Sequence, residues 1–373
     1  MRVPLNDLAS QEARVAGEVL RAIEGVAREA TFILGTNVAM LERWLASVCG
    51  VPCAVGVASG TDALELSLRA LGVERGDAVV TPAVSFVAAA EAIVRIGAVP
   101  VFSDVNVETM NTDVAATAAA ILRSRRAGWR VRALVPVHLF GLCAPVAALR
   151  ALAVEEHVGL LEDAAQALGA RDAEGRAAGQ SGDCAAFSFF PTKNLGAWGD
   201  GGAVVTRRDD VALRVRRLRV HGASAPHIHD EIGCNSRLDE IQAAVLMVKT
   251  RYFEASQDAR ARIAVRYRAE LPSSSLVLPC LPERPAVHAW NAFVVRSERR
   301  DPLARWLREC GIDVRVYYPM GLHHQACFAN LDIASLPVAE EICRTALALP
   351  IYPSMTDEVQ TYVIERIVEF FGR

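Results

Sequence analysis

Lys193 is the residue of this chain whose neighbours point most clearly to chemistry. It follows an apolar Phe-Phe-Pro stretch at the end of a strand-like run, and a glycine-rich return leads from it into the next run. Apolar surroundings lower the pKa of an amine, and a lysine must be neutral to form a Schiff base. A solvated loop lysine is the ordinary alternative, but these neighbours favour a nucleophile.

Asp163 lies thirty positions earlier, just after the apolar run 158–161. Ligands of open α/β sheets bind beyond the carboxyl ends of the strands, which is where this carboxylate is expected. An ionised aspartate at that place can keep a pyridinium nitrogen protonated, so that the ring withdraws electrons from a developing carbanion. The alternative is that Asp163 caps a helix that follows it.

The small-residue turn Ser59-Gly60-Thr61 lies between a predicted strand, 54–58, and a predicted helix, 62–71. The free N–H groups and the dipole at a helix N-terminus favour an anion such as a phosphate. The turn has neither the glycine pattern of dinucleotide-binding folds nor the lysine of a Walker motif. A simple capped turn would explain the same residues.

The elements around these residues alternate between short apolar runs and amphipathic runs, which predicts an α/β fold with a mostly parallel sheet. Further strands are predicted at 78–81, 99–102, 133–137, 158–161, 185–189 and 202–206, and a further helix at 86–96. Beyond residue 250 a smaller unit is predicted, with strands 289–295 and 314–317 and helices 302–310, 337–347 and 357–370. We therefore expect a large domain, 1–250, and a small C-terminal α+β domain, 251–373.

The composition argues against several classes of protein. A net charge of −3 over 373 residues gives no basic excess for nucleic acid. The most apolar stretch, 82–102, is interrupted by Glu91 and Arg95, which argues against a membrane span. The nine cysteines are scattered and lack both disulfide and zinc-site spacing, so no metal is expected. Free thiols and the absence of a signal-peptide core predict a cytoplasmic protein.

The reactive residues belong to a series of motifs that runs through nearly the whole chain. The two most specific are Ser188-Phe-Phe-Pro-Thr-Lys193-Asn-Leu-Gly and Gly233-Cys-Asn235-Ser-Arg237-Leu-Asp-Glu. Others are Ser59-Gly-Thr-Asp-Ala-Leu64, Pro136-Val-His-Leu-Phe-Gly141 and Glu162-Asp-Ala-Ala-Gln-Ala167. With these motifs the chain resembles the DegT/DnrJ/EryC1/StrS sugar aminotransferases, which have the aspartate-aminotransferase fold, also called fold type I of enzymes that use pyridoxal 5'-phosphate (PLP).

The resemblance implies how PLP would be held. Lys193 would bind the cofactor covalently, and pyridoxamine phosphate would be its intermediate form. Asp163 would pair with the pyridine nitrogen, Gln166 would approach the phenolic oxygen, and Phe86 would stack on the ring.

It also implies a phosphate site shared between subunits. Gly60, Thr61 and Ser188 would hold the phosphate from one chain. Asn235 would reach the same phosphate from the other subunit of a homodimer, where an amide can donate a hydrogen bond without adding charge.

The implied reaction is transfer of an amino group, with L-glutamate as the expected donor, to a nucleotide-diphosphate-linked keto-sugar. Tyr317, Tyr318 and His323 are expected to line the sugar pocket. His229 lies in a histidine-bearing loop that resembles some 3-keto-sugar enzymes, so a 3-keto-6-deoxyhexose is favoured.

Three alternatives have different consequences for the sequence. A sugar 3-dehydratase of the same family has a histidine in place of the lysine, and Lys193 argues against it. An aminotransferase of a keto-cyclitol would share the cofactor motifs, so these cannot separate it from the sugar enzyme. A catalytically silent regulatory or scaffold protein on this fold predicts decay at Lys193, Asp163 or Asn235, and none is seen.

Overall fold

The structure, a computed structural model, describes residues 1–331 and 334–372. Its main feature is a seven-stranded sheet formed by strands from the first 206 residues. Its strands are β1 (Cys53–Val57), β2 (Ala78–Pro82), β3 (Val99–Ser103), β4 (Val131–Leu134), β5 (Gly159–Asp163), β6 (Cys184–Ser188) and β7 (Gly202–Thr206). They are ordered β1-β7-β6-β5-β4-β2-β3, and only β7 runs antiparallel to its neighbours. The predicted α/β fold with a mostly parallel sheet is confirmed.

Helices cover this sheet and build much of the remaining chain. They are α1 (Leu8–Glu29), α2 (Thr36–Cys49), α3 (Gly60–Ala70), α4 (Ala88–Arg95), α5 (Val114–Arg126), α6 (Val146–Glu155), α7 (Asp209–Leu218), α8 (Glu240–Thr250), α9 (Phe253–Glu270), α10 (Arg300–Glu309), α11 (Pro337–Thr345) and α12 (Asp357–Gly372). All residues of β2 and β7 are buried, because apolar side chains on both faces of these strands meet other elements.

Among the described residues, none of the helices combines the length and the apolarity needed to cross a membrane.

Two short strand pairings lie outside the main sheet. β8 (Ala223–Ala225) and β9 (Ile228–His229) pair antiparallel within the histidine-bearing loop, and β10 (Phe293–Arg296) pairs antiparallel with β11 (Ala346–Leu349). The prediction for residues 346 and 347 was wrong, since the helix ends at Thr345 and a strand follows. The Leu-Ala-Leu alternation and the following Pro350 favour extended backbone there. Residues 314–317 form only an isolated bridge, from Arg315 to Ala348, instead of the predicted strand.

The C-terminal residues have an apolar core of their own, and the start of the chain joins it. This core includes Tyr267, Phe293 and Leu349, together with fully buried Val3. The N–H of Val3 donates to the carbonyl of Gly311 at 2.8 Å. The N-terminal strand-like segment therefore packs with the C-terminal unit, and the division at residue 250 stays a prediction.

Candidate active site

A cavity of about 520 Å³ opens where β5 and β6 end and α3 begins. Nine of the twelve residues predicted to form the site line it: Gly60, Thr61, Phe86, Asp163, Gln166, Ser188, Lys193, Tyr317 and Tyr318. They come from segments up to 258 positions apart (60 to 318), so the fold brings together residues that the sequence only suggested one by one. His229, His323 and Asn235 are not among the lining residues of the same chain.

Lys193 lies on a tight turn in which its N–H donates to the carbonyl of Phe190 at 2.9 Å. Its side-chain amine has no hydrogen-bond or ion-pair partner in the part of the chain that the structure describes. Burial lowers the pKa of Lys193, and the negative charge of Asp163 opposes that shift. The amine is thus disposed toward the neutral, nucleophilic form.

Asp163 is the last residue of β5 and is 6% exposed. Burial raises the pKa of Asp163, while the Ala165 N–H, at 3.1 Å from Oδ1, and the charge of Lys193 oppose the rise. No helix begins directly after it, so the capping alternative does not apply. A buried carboxylate without a cation in contact fits the role of a partner for a protonated ring nitrogen.

The turn at Gly60 provides hydrogen-bond donors for an anion. The Ser59 hydroxyl accepts the Asp62 N–H at 3.1 Å, while the N–H groups of Gly60 and Thr61 have no partner within residues 1–331 and 334–372. A Cβ on residue 60 would lie 2.7 Å from the Cβ of Ser188. Only glycine allows this approach, which sets the Ser188 side chain beside the helix N-terminus. The donor set fits the phosphate of PLP.

Phe86 is 61% exposed, because α4 begins two residues after it and leaves the ring at the cavity instead of in the core. Gln166 is oriented by its neighbours: its Oε1 accepts the Phe140 N–H at 2.7 Å, and its Nε2 donates to the Tyr318 hydroxyl at 3.1 Å. An exposed aromatic face and a fixed amide are groups that suit a flat, polar-edged ring such as that of PLP.

The predicted sugar-pocket residues divide into two groups. Tyr317 and Tyr318 line the cavity, whereas His323 is buried in a short turn, with its Nε2 3.4 Å from Oε1 of Glu340. His229 is exposed in the β8–β9 pair, where its Nδ1 lies 2.9 Å from the carbonyl oxygen of His221. The roles of the two histidines stay predictions.

Asn235 is exposed and lies outside the cavity of its own chain. It does not cap α8, since that helix begins at Glu240 and its N-cap residue is Asp239. The role of Asn235 across a dimer stays a prediction.

Sequence reasoning missed the hydrogen-bond network of Glu162, the buried residue next to Asp163. The neighbouring Glu162 is fully buried and accepts hydrogen bonds from Nε2 of His138 at 2.8 Å and from the N–H groups of Gly179 and Ser181 at 2.8 and 2.9 Å. Nδ1 of His138 accepts the Ala144 N–H at 3.0 Å, which places the proton on Nε2. A glutamate inside an apolar strand was the available signal, because a buried charge needs such partners.

It also missed Arg315, which lines the cavity from the C-terminal unit. An arginine two positions before Tyr317 in an extended segment lies on the same side as the tyrosine, and that spacing could have indicated it.

Known proteins resemble this chain over its whole length. A model of the DegT/DnrJ/EryC1/StrS aminotransferase family matches residues 14–368. A pleiotropic regulatory protein of Geobacillus stearothermophilus is 40% identical over 375 residues, covering 100% of this chain and 99% of that protein. A UDP-N-acetyl-3-dehydro-alpha-D-glucosamine 3-aminotransferase of Acidithiobacillus ferrooxidans is 40% identical, covering 95% and 94%. The crystal structure of S. venezuelae DesV with a ketimine intermediate matches with a TM-score of 0.93 and 38% identity, covering 100% and 99%.

Proposed function

Because the chain belongs to the DegT/DnrJ/EryC1/StrS aminotransferase family, whose aminotransferases depend on PLP, we propose that it aminates a nucleotide-diphosphate-linked keto-sugar. The observation that carries the proposal is one cavity lined by Lys193, Asp163 and the donor groups at Gly60. L-glutamate is the proposed amino donor. The name of the Acidithiobacillus relative, a 3-aminotransferase, supports a 3-keto-sugar, and a 3-keto-6-deoxyhexose is the form that we propose.

The proposed cofactor contacts come from separate elements. The N–H groups of Gly60 and Thr61 and the hydroxyl of Ser188 would hold the phosphate. Phe86 would pack against one face of the ring, and Gln166 would donate to the phenolic oxygen. Together these contacts would fix the reactive carbon beside the lysine, which is the positioning that an efficient reaction needs.

PLP, when bound, supplies an electron sink for the carbanion that forms when the donor loses its Cα proton. Asp163 would hold the proton on the ring nitrogen, and pairing with that cation would offset the burial that raises the pKa of Asp163. Nζ of Lys193, once released by the donor, would accept the Cα proton. Proton transfer by a positioned group contributes about a hundred- to ten-thousand-fold to the rate. The same residues would act in reverse when the keto-sugar takes up the amino group.

Reductive labelling tests the attachment of the cofactor. Borohydride reduction of the holoenzyme followed by peptide mass mapping should place the pyridoxyl group on Lys193. The chain supplies its own control, since Lys249 is the only other lysine. The amine of Lys249 is already engaged, by Glu12 at 2.5 Å and by the carbonyl of Gly196 at 2.6 Å. Labelling of Lys249 instead would refute the assignment.

A substrate panel tests the reaction. Purified enzyme is given L-glutamate with 3-keto and 4-keto nucleotide sugars and with a keto-cyclitol, and 2-oxoglutarate release is measured. Turnover with a 3-keto nucleotide sugar is expected. Turnover with the cyclitol alone would favour that alternative, and no colour in the PLP absorbance range would favour the regulatory protein that the Geobacillus relative's name suggests.

We also propose that the active enzyme is a homodimer with shared sites, in which Asn235 of one chain reaches the phosphate bound by the other. Its exposure outside the cavity of its own chain supports this arrangement. Complementation tests it. Lys193→Ala and Asn235→Ala homodimers should both be impaired, whereas their heterodimer contains one site with both residues intact. About half of the wild-type activity per dimer should return, and verified heterodimers without any gain would exclude a shared site.

A cytoplasmic location is part of the proposal. All nine cysteines are free, which suits a reducing compartment.

A further inference from the structure

Within the described residues, the C-terminal unit presents one guanidinium to the cavity, that of Arg315, and no carboxylate forms an ion pair with it. Arg315 is the single arginine among the described residues that line this cavity. Its side chain has no hydrogen-bond or ion-pair partner in the described ranges, and its Cζ lies 5.9 Å from the ring centroid of Tyr317. A guanidinium left free in a ligand cavity is a ready partner for a planar anion, which it can bind through two parallel hydrogen bonds.

The backbone of Arg315 is fixed on a rigid element. Its N–H donates to the carbonyl of Ala348 at 3.2 Å, and its carbonyl accepts the Ala348 N–H at 2.8 Å. Ala348 belongs to β11, which is paired with β10. The arginine therefore starts from a defined position, and ligand binding has only its side chain to order.

A second cation, Arg260, lies near Tyr317 and contacts the carbonyl of Ile351, which also lines the cavity. Arg260 on α9 is 2% exposed, and among the described residues its Nη1 donates to two carbonyl oxygens, those of Trp290 at 3.4 Å and Ile351 at 3.1 Å, and to no carboxylate. Burial lowers the pKa of Arg260 to about 10, so it remains charged at neutral pH. A buried charge without a counter-charge is costly, and an anion nearby reduces that cost. Burial raises the pKa of Tyr317, and the nearby positive charges of Arg315 and Arg260 both oppose that rise.

The location of Arg315 and Tyr317 relative to the proposed cofactor contacts indicates which anion Arg315 binds. Gln166, the proposed partner of the phenolic oxygen, donates to Tyr318, whose ring centroid is 6.2 Å from that of Tyr317. In PLP the phenolic oxygen and the reacting carbon are neighbouring substituents, whereas the phosphate arm lies on the far side of that carbon. We propose that Arg315 binds a carboxylate of the amino-acid donor, with Arg260 strengthening the positive potential behind it. This inference rests on the proposed function.

The test separates the donor from the acceptor. Arg315→Gln and Arg315→Lys are compared with wild type and with Arg305→Gln, which changes an exposed arginine of the same unit. Calorimetry measures the binding of glutarate, an unreactive dicarboxylate, and of UDP and dTDP to the holoenzyme. Stopped-flow absorbance then follows the half-reaction with L-glutamate alone.

Arg315→Gln should weaken glutarate binding and raise the glutamate concentration at half-maximal rate by about 10- to 100-fold, the range expected for a lost charged hydrogen-bond pair. The limiting rate should change little, because Arg315 would bind the donor carboxylate equally well in the ground state and in the transition state. Arg315→Lys should recover part of the loss. UDP and dTDP binding and the Arg305→Gln variant should match wild type.

Two results would overturn the inference. One is an Arg315→Gln variant that binds glutarate as tightly as wild type and reaches half-maximal rate at the same glutamate concentration. The other is a loss of nucleoside-diphosphate binding with glutarate binding intact, which would assign Arg315 to the acceptor. A wild-type enzyme that binds glutarate through Arg315 but does not react with glutamate would support the subsite while contradicting glutamate as donor.

Discussion

Gly60→Ala is the substitution whose effect follows most directly from the geometry of the site. The added Cβ would lie 2.7 Å from the Cβ of Ser188 and 3.2 Å from its Cα. Carbon atoms in contact are normally about 3.5–4.0 Å apart, so the first contact is about 1 Å too short. The Ser188 Cβ cannot rotate away, since it is attached directly to β6. The N-terminus of α3 must therefore move from Ser188.

Two opposing free energies decide the size of the effect. Overpacking of this kind costs about 1–3 kcal/mol, whereas Gly→Ala in a helix contributes up to about 1 kcal/mol of stability. The apoenzyme should thus lose up to about 3 kcal/mol in its free energy of unfolding. A displaced α3 also loses at least one charged hydrogen bond to the phosphate, worth about 1.5–3 kcal/mol, so PLP should bind roughly 10- to 100-fold more weakly.

The chain provides a matched control for this variant. Gly25 lies inside α1, and a Cβ there would meet nothing within 4 Å. Gly25→Ala should raise the unfolding free energy by about 0.5–1 kcal/mol and leave PLP binding unchanged. Urea unfolding of the apoenzymes and absorbance titration with PLP measure both quantities. If Gly60→Ala binds PLP as tightly as Gly25→Ala, the close approach of Gly60 to Ser188 does not form the phosphate site.

Three further predictions concern the charged residues. Asp163→Asn, which keeps the shape but removes the charge, should fold normally and lose at least about a hundredfold in kcat; near-normal turnover would contradict the pairing with the ring nitrogen. Burial lowers the pKa of Lys193, so the rate of holoenzyme formation from apoenzyme and PLP should rise with pH through a midpoint below 10.5, and a midpoint at or above 10.5 would exclude a buried amine. Burial favours protonated Glu162, but His138 and the N–H groups of Gly179 and Gly182 outweigh it and lower the pKa of Glu162. Glu162 should therefore stabilise the fold above pH 4.5 and lose this effect as the pH falls through its lowered pKa. Glu162→Gln keeps the shape but replaces charge-assisted hydrogen bonds with neutral ones, so it should unfold about 1–3 kcal/mol more easily at pH 7, with a smaller difference in acid; equal unfolding midpoints at pH 7 would refute the role of the ionised carboxylate.

The lysine, the aspartate and the turn at Gly60 could be predicted from the sequence because each depends on local pattern. A strand end, an apolar approach and a small-residue turn are set by neighbours within about ten positions. The same local reasoning failed at residues 314–317, predicted as a strand, and at residues 346 and 347, predicted as the end of a helix. At 346 and 347 an apolar run suited helix or strand equally, and pairing with β10, about fifty positions away, decided the outcome. At 314–317 the structure forms only the bridge from Arg315 to Ala348.

The sequence by itself determined the fold class, the parallel sheet and the identity of the reactive groups, since these follow from side-chain type and periodicity. Only the tertiary structure decided which groups share a cavity. It brought Arg315 into the cavity that Gln166 lines, joined Tyr318 to Gln166 by a hydrogen bond, and left His323 and Asn235 outside the set of lining residues. The physical reason is that such contacts depend on how the C-terminal unit packs against the sheet. That packing is set by many buried side chains together, and no single stretch of the chain records it.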